Sequence, residues 1–134
     1  MILEMREHTD PVINPETEAY WKAANDGKLL VKYCMECKEP HFYPRALCPF
    51  CMSERTEWRE TAGRGRIYSF SVMRRADPVY AIAYVTLEEG VTMLTNIVDA
   101  DPETLRVGQE VEVAFGAAAN GQAIPLFRPP DATR

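Results

Sequence analysis

Cys34-Met35-Glu36-Cys37 and Cys48-Pro49-Phe50-Cys51 are two C-x2-C knuckles, ten residues apart, and together they hold all four cysteines of the chain. Each knuckle lets two sulfurs approach one ion from a tight turn, and a second knuckle completes a tetrahedral thiolate set. The rival pattern is two disulfides in a secreted domain. The start MILEMREHTDP argues against it, because charges appear from Glu4 onward and no apolar run reaches the length of a signal sequence. A reactive dithiol would leave the second pair unexplained. The spacing therefore predicts one closed, structural, non-catalytic zinc ion (Zn2+) on Cys34, Cys37, Cys48 and Cys51. A rubredoxin-like four-thiolate site also accepts iron.

Outward from the knuckles, residues 32–58 read as a zinc ribbon with too few apolar side chains to fold without its metal. His41 reads as an ordinary surface residue, since four cysteines already saturate a structural ion. Residues 1–31 read as an N-terminal helical arm with a mobile start. Asn14-Pro15-Glu16 is a helix-start signal, Glu16 to Asp26 the expected helix and Gly27 its stop. Tyr20, Trp21 and Ala24 are its anchors, and Lys28 to Tyr33 is a short strand feeding the first knuckle.

Residues 59–134 read as all-β. The strands expected are Arg66–Met73, Val79–Leu87, Val91–Val98, Glu110–Phe115 and Ala123–Phe127, the last demoted to an edge by Pro125. A short helical turn over Asp101–Gly108 falls between the third and fourth. That is the order of a five-stranded OB-fold barrel, although the pattern alone also suits an SH3-like barrel or another small sandwich; the fold class is mainly β: helical arm, rubredoxin-like ribbon, barrel. The expected core is Val72, Ile82, Tyr84, Val85, Leu94, Ile97, Val111, Val113 and Phe115. The tail from Arg128 onward reads as frayed.

The chain has 134 residues, 46% hydrophobic content and a net charge of −5. This acidic balance disfavours a dedicated nucleic-acid binder. No stretch approaches the roughly 20 apolar residues that span a bilayer. The expectation is a cytoplasmic protein with no membrane partner and thiols kept for metal.

Read in order, Gly27-Lys28-Leu29-Leu30, the two knuckles, Tyr43-Pro44-Arg45, Trp58, Gly63-Arg64-Gly65, Tyr68-Ser69-Phe70, Val107-Gly108 and Pro125-Leu126-Phe127 form a specific series. On these residues, from about Ala19 to Phe127, the chain resembles the zinc-ribbon plus OB-fold family catalogued as domain-of-unknown-function family thirty-five. One departure is that Lys38 and Met52 stand where glycine often follows a knuckle. The resemblance implies a small non-catalytic subunit that accompanies a thiolase-fold enzyme: a thiolase, an acyltransferase or an aldolase of the steroid side-chain type. It also implies CoA or acyl-CoA as ligand and a hetero-oligomer in acyl-CoA (lipid) metabolism. The helix at Tyr20 and Trp21 and the ribbon edge at Phe42 and Tyr43 are the expected partner contacts, since aromatics suit the centre of an interface.

No catalytic constellation is evident: the histidines are His8 and His41 alone, and every cysteine is committed to metal. Arg64, Arg66, Arg74 and Arg75 fall within twelve residues that contain no acid, and Arg45 lies between the knuckles. Guanidinium groups suit the phosphates of CoA. The steps from Arg66 to Arg74 span roughly 26 Å of strand, so one phosphate cannot meet both ends. Arg45 with Arg64 and Arg66 is the preferred group, because Gly63 and Gly65 would allow close backbone approach there. Arg74 and Arg75 come second. The alternative function is single-stranded nucleic-acid binding by an OB-fold, with Tyr68, Phe70, Tyr80 and Tyr84 as stacking candidates.

Overall fold

The computed structural model describes residues 2–6 and 8–130. The helix is α1 (Glu18–Asn25), starting later than expected. Asn14 Oδ1 accepts the Thr17 N–H and the Thr17 hydroxyl, each at 3.1 Å. The Asn-Pro signal thus builds a closed turn that feeds the helix. At the other end Gly27 has φ 77°, the Lys28 N–H donates to Ala23 O at 2.9 Å and the Gly27 N–H to Ala24 O at 3.0 Å. This is a two-bond left-handed stop, and it satisfies the last carbonyls of the helix.

The ribbon is a three-stranded antiparallel sheet in the order β2-β1-β3, made of β1 (Leu30–Cys34), β2 (Pro40–His41) and β3 (Thr56–Glu60). Strand β3 escaped sequence reading because Thr56-Glu57-Trp58-Arg59-Glu60 is mostly charged. Its pairing with β1, from Leu30↔Glu60 to Cys34↔Thr56, holds it regardless.

A closed five-stranded barrel follows: β4 (Arg64–Met73), β5 (Tyr80–Leu87), β6 (Thr92–Ile97), β7 (Glu110–Ala117) and β8 (Ala123–Arg128), ordered β4-β5-β6-β8-β7. A 3₁₀ turn, Pro102–Thr104, lies between β6 and β7, with Asp101 Oδ1 accepting the Glu103 N–H at 2.9 Å. This is the expected OB arrangement. β8 is no edge, however. It sits between β6 and β7, and its parallel seam with β6 has the single register pair Ile97↔Phe127. A proline without an N–H is tolerated beside so sparse a ladder. Arg128 ends β8 within reach of Asp99 at 3.6 Å and Glu112 at 3.7 Å, so the chain is ordered past the expected start of fraying; Asp131–Arg134 lie outside the described residues.

The core departs from expectation on one strand pair. Val85, Ile97 and Val111 are buried, and Val72, Val113 and Phe115 pack half-buried against them. Tyr84 and Leu94 face out instead, 47% and 56% exposed, and Ile82 is half-exposed on the same side. β5 buries Ala81, Ala83, Val85 and Leu87, and β6 buries Met93, Thr95 and Ile97. Neighbours on a strand point to opposite faces, so Tyr84 and Val85 cannot both be interior. The apolar run Val79–Leu87 hides its own register, and the barrel takes the alanines inward and the bulk outward.

Among the described residues, the start of the chain is extended and bonded to the barrel, not helical. Leu3 is buried, its N–H donates to Ala100 O and its carbonyl accepts the Asp99 N–H, each at 2.7 Å. Further on, the His8 N–H donates to Ala117 O and the His8 carbonyl accepts the Ala119 N–H. This extended strap lies against the barrel, and one core joins Leu3, Tyr20, Leu29 and Val31 to Ile67, Val85, Met93 and Phe127. The ribbon–barrel junction is pinned by buried Thr61, whose N–H and hydroxyl both donate to Leu29 O at 2.9 Å.

Gly63 and Gly65 serve this packing. A Cβ on Gly65 would lie 2.4 Å from the Thr86 carbonyl oxygen, and one on Gly63 would lie 2.7 Å from Val113 Cγ1. Gly65→Ala should therefore lower unfolding free energy by about 1–3 kcal/mol, and Leu3→Ala by about 2–5 kcal/mol. Leu94→Ala, on the outward face, should stay within about 0.5 kcal/mol of wild type. Urea unfolding of the three variants checks both the glycine argument and the corrected register.

Candidate functional site

The knuckles bring all four sulfurs within 4.8 Å of one another. Cys34 Sγ lies 3.6 Å from Cys51 Sγ, and Cys37 Sγ 3.7 Å from Cys48 Sγ. Zn–S bonds of about 2.3 Å at tetrahedral angles put sulfurs about 3.8 Å apart, whereas a disulfide needs about 2.05 Å. The set fits one zinc ion and no disulfide. Cys34, Cys37, Cys48 and Cys51 would hold the ion, which would tie the two knuckles together and leave no open position.

The two knuckles are built alike. The Lys38 N–H donates to Cys34 O at 3.0 Å and the Met52 N–H to Cys48 O at 2.8 Å. Both donors sit in the left-handed region, at φ 63° and 66°. The turn geometry is kept despite the missing glycines, with two side chains held where glycine is favoured. The first cysteine of each knuckle also accepts an N–H on sulfur, from Cys37 at 3.5 Å and from Phe50 at 3.4 Å. The bond from Cys37 draws the Cys34 thiol down to about 7. Cys34 and Cys48 are fully buried, Cys37 is half-buried and Cys51 is exposed.

His41 corrects the surface reading. It is 3% exposed and neither ring nitrogen has a hydrogen-bond partner. Burial first, and then the Lys32 and Arg45 cations, hold its pKa below the ordinary imidazole value.

The arginine run is free of acids in sequence but not in space. Arg64 meets Glu88 at 3.2 Å and Arg74 meets Glu103 at 2.5 Å. Arg66 meets Glu110 at 2.9 Å and also donates to Gly108 O at 3.0 Å. Arg45 lies 3.8 Å from Glu16, with its guanidinium 5.7 Å from the Tyr43 ring centre. Arg75 is exposed, with no carboxylate in reach among the described residues. Arg64 and Arg66 line one open pocket of about 500 Å³ with Glu88, Glu110 and Pro130. An adjoining pocket of about 500 Å³ shares Arg66, Glu110 and Pro130 and adds Arg106, which sequence reasoning missed. Arg45, Arg74 and Arg75 line neither pocket. Since Gly63 and Gly65 serve the barrel, they give no reason of their own to place a phosphate here.

Tyr20 is buried at the centre of an aromatic cluster, with ring centres 4.9 Å from Trp21, 5.6 Å from Phe42 and 5.9 Å from Tyr43. The helix also grips the barrel: Gln122 Nε2 donates to Trp21 O and the Ala123 N–H to Asn25 Oδ1, each at 2.9 Å. Phe70, Ile82, Tyr84 and Leu94 line a shallow groove of about 180 Å³ on the outer face, and Tyr68, at the register shift in β4, is exposed.

Elemental analysis should find one zinc per chain; absence of zinc, or iron at full occupancy, overturns the metal assignment. Chelation or Cys34→Ala should unfold the ribbon, because in such small units metal-binding energy, about 10–16 kcal/mol in zinc-finger peptides, is folding energy. Met52→Gly should stabilise the zinc-loaded protein by about 0.5–1 kcal/mol by relieving its backbone. His41 adds an acid limb. Its folded pKa lies below the unfolded value of about 6.5, so the imidazole contributes nothing to the pH dependence when both states are neutral. As pH falls through that value the unfolded chain takes up a proton that the folded one resists, and stability drops. Comparing melting curves of wild type and His41→Phe from pH 8 to 5 isolates this part, which should flatten in the variant.

Residues 21–57 match the family described as ChsH2, rubredoxin-like zinc ribbon domain, and residues 58–116 that described as ChsH2, C-terminal OB-fold domain. The chain is 31% identical over 124 residues to a probable enoyl-CoA hydratase alpha subunit of Thermomonospora curvata, covering 89% of this chain and 39% of that one. It thus spans about two-fifths of that relative's length. A DUF35 domain-containing scaffold protein of Methanothermobacter thermautotrophicus is 36% identical, with 61% of this chain and 67% of that one covered. The benzoylsuccinyl-CoA thiolase subunit BbsA of Thauera aromatica is 29% identical, with 70% and 68% covered. Among solved structures, a chain of the Ltp2-ChsH2(DUF35) aldolase superposes with TM-score 0.79 at 30% identity, over 90% of this chain and 98% of that one. With both halves matched in order and the four sulfurs in place, the chain belongs to the DUF35 family of ChsH2-type zinc-ribbon and OB-fold proteins.

Proposed function

We propose that this chain is a non-catalytic accessory subunit of a thiolase-fold enzyme, a thiolase, acyltransferase or aldolase, and that it helps hold acyl-CoA for its partner. The observation that carries the reading is the likeness to 98% of a chain in the Ltp2-ChsH2(DUF35) aldolase. A relative named as a CoA thiolase subunit supports it. The zinc here is a staple with a closed set of sulfurs and supplies no chemistry to a substrate. The partner contacts proposed are the half-buried edges of Trp21, Phe42 and Tyr43, with buried Tyr20 fixing their positions.

For the ligand, the pocket with Arg64 and Arg66 is favoured over Arg45 or over Arg74 and Arg75, because it gathers two of these arginines in one concavity. Each guanidinium must exchange a carboxylate for a phosphate. Exposed ion pairs are worth only about 0–1 kcal/mol, and a forked guanidinium–phosphate contact of higher charge prevails. The thioester would then extend toward the partner, which does the chemistry. A second reading, single-stranded nucleic-acid binding, is favoured by one observation: Tyr68 and Tyr84 are exposed on the barrel face. The acids beside Arg64, Arg66 and Arg74 weaken the phosphate attraction that such binding needs.

A tagged copy expressed in its native source should recover a thiolase-fold protein in stoichiometric amount; recovery of the chain alone sinks the accessory-subunit reading. Calorimetry on the complex should show acyl-CoA affinity falling about tenfold or more for the Arg64→Ala, Arg66→Ala double variant, and far less for Arg45→Ala or Arg74→Ala. A loss confined to Arg74→Ala moves the site to the other end of β4. Filter binding of single-stranded oligonucleotides at moderate salt, with no response to acyl-CoA, would favour the second reading.

A further inference from the structure

The four ligands of the ribbon are not equivalent. Cys34 and Cys48 are fully buried, and each accepts an N–H on sulfur. Cys37 is half-buried. Cys51 alone is exposed, at a tip where Phe50 and Met52 also stand open to solvent, each 66% exposed. The sulfur set therefore has one exposed member beside two buried and one half-buried, and accessible thiolates are the ones that oxidants reach. Cys34 Sγ, drawn from the other knuckle, lies 3.6 Å from Cys51 Sγ.

We infer that Cys51 is an oxidant-modification site through which a peroxide-class reagent opens the ribbon. In the first step Cys51 thiolate attacks one peroxide oxygen; the O–O bond breaks, a sulfenic acid forms and hydroxide leaves. In the second, Cys34 thiolate attacks the Cys51 sulfur; the S–S bond forms, the S–O bond breaks and a second hydroxide leaves. Two sulfurs give up two electrons, peroxide takes them, and two protons from solvent turn the hydroxides into water. Zinc has no redox role. An ion held by the set would be left with two of its four ligands and would be released as the divalent ion. A disulfide bridging the knuckles would then replace the metal staple, in a form that thiols reverse.

The inference rests on the zinc reading of the ribbon, and the test separates the two. Zinc-loaded protein is treated with hydrogen peroxide, zinc release is followed with a chromophoric chelator, and peptides are mapped by mass spectrometry. The expected result is loss of the ion, a Cys34–Cys51 disulfide, and recovery with dithiothreitol plus zinc. Brief iodoacetamide treatment should label Cys51 about tenfold faster than Cys37. Because Cys51→Ser would lack a fourth ligand, the companion variant is Cys51→His, which keeps a known three-sulfur, one-nitrogen set. It should hold zinc and release it about tenfold more slowly under peroxide. Equal labelling of Cys37, a disulfide within one knuckle, or unslowed release from Cys51→His overturns the inference. Starting material without zinc overturns both readings, and zinc that peroxide leaves in place overturns this one alone.

Discussion

Four sulfurs converging on one point are what the rest of the molecule leans on. The ribbon strands are short, β2 having two residues, and a sheet of that size buries too little to order itself. A divalent ion held by the thiolates would supply the missing free energy and fix β1 against β3. Once β1 is fixed, Leu29 and Val31 face the barrel core, and Phe42 and Tyr43 meet Tyr20. The helix, too short to persist alone, gains its stability from that aromatic cluster on one side and from the Gln122 hairpin on the other. Metal, helix and barrel are thus links in one chain of dependence, although they look separable along the sequence.

Much of this was legible from residues with strict local demands. Cysteine spacing foretold the cluster of four sulfurs, Gly27 marked the helix end, and the order of strands with one helical turn set the barrel. What stayed hidden depends on long-range choice. Val79–Leu87 is apolar on both faces, so nothing local says that Ala83 rather than Tyr84 turns inward. The strand Thr56–Glu60 carries a single apolar residue, Trp58, too little to announce a strand, and β1 supplies its reason to be extended. The strap through Leu3 is held by Ala100 and Asp99, contacts that no window of sequence contains.

The candidate site was less readable than the fold, and for an electrostatic reason. A stretch with arginines and no acids looks like an open positive patch when read in one dimension. Antiparallel pairing then sets Arg66 against Glu110 across β4 and β7, while Glu88 from the β5–β6 turn meets Arg64. What the sequence presents as surplus charge is mostly balanced once the register is set, and only the concavity around Arg64 and Arg66 distinguishes that end of the strand.

Barrel closure has a further consequence, for how the chain meets other backbones. A closed sheet offers no long free edge on which another chain can add a strand. Closure here is sparse at two seams, since residues 69–73 of β4 pair with β5 alone and β6 meets β8 at one register pair; the ribbon's edges are the two residues of β2, and β3, whose Glu57, Arg59 and Glu60 form a charged guard. Short and charged edges resist sheet-to-sheet aggregation. The ribbon edges therefore offer little template for fibril growth, while Tyr84 and Leu94 stand exposed on the barrel beside a β6 edge that β8 covers only in part.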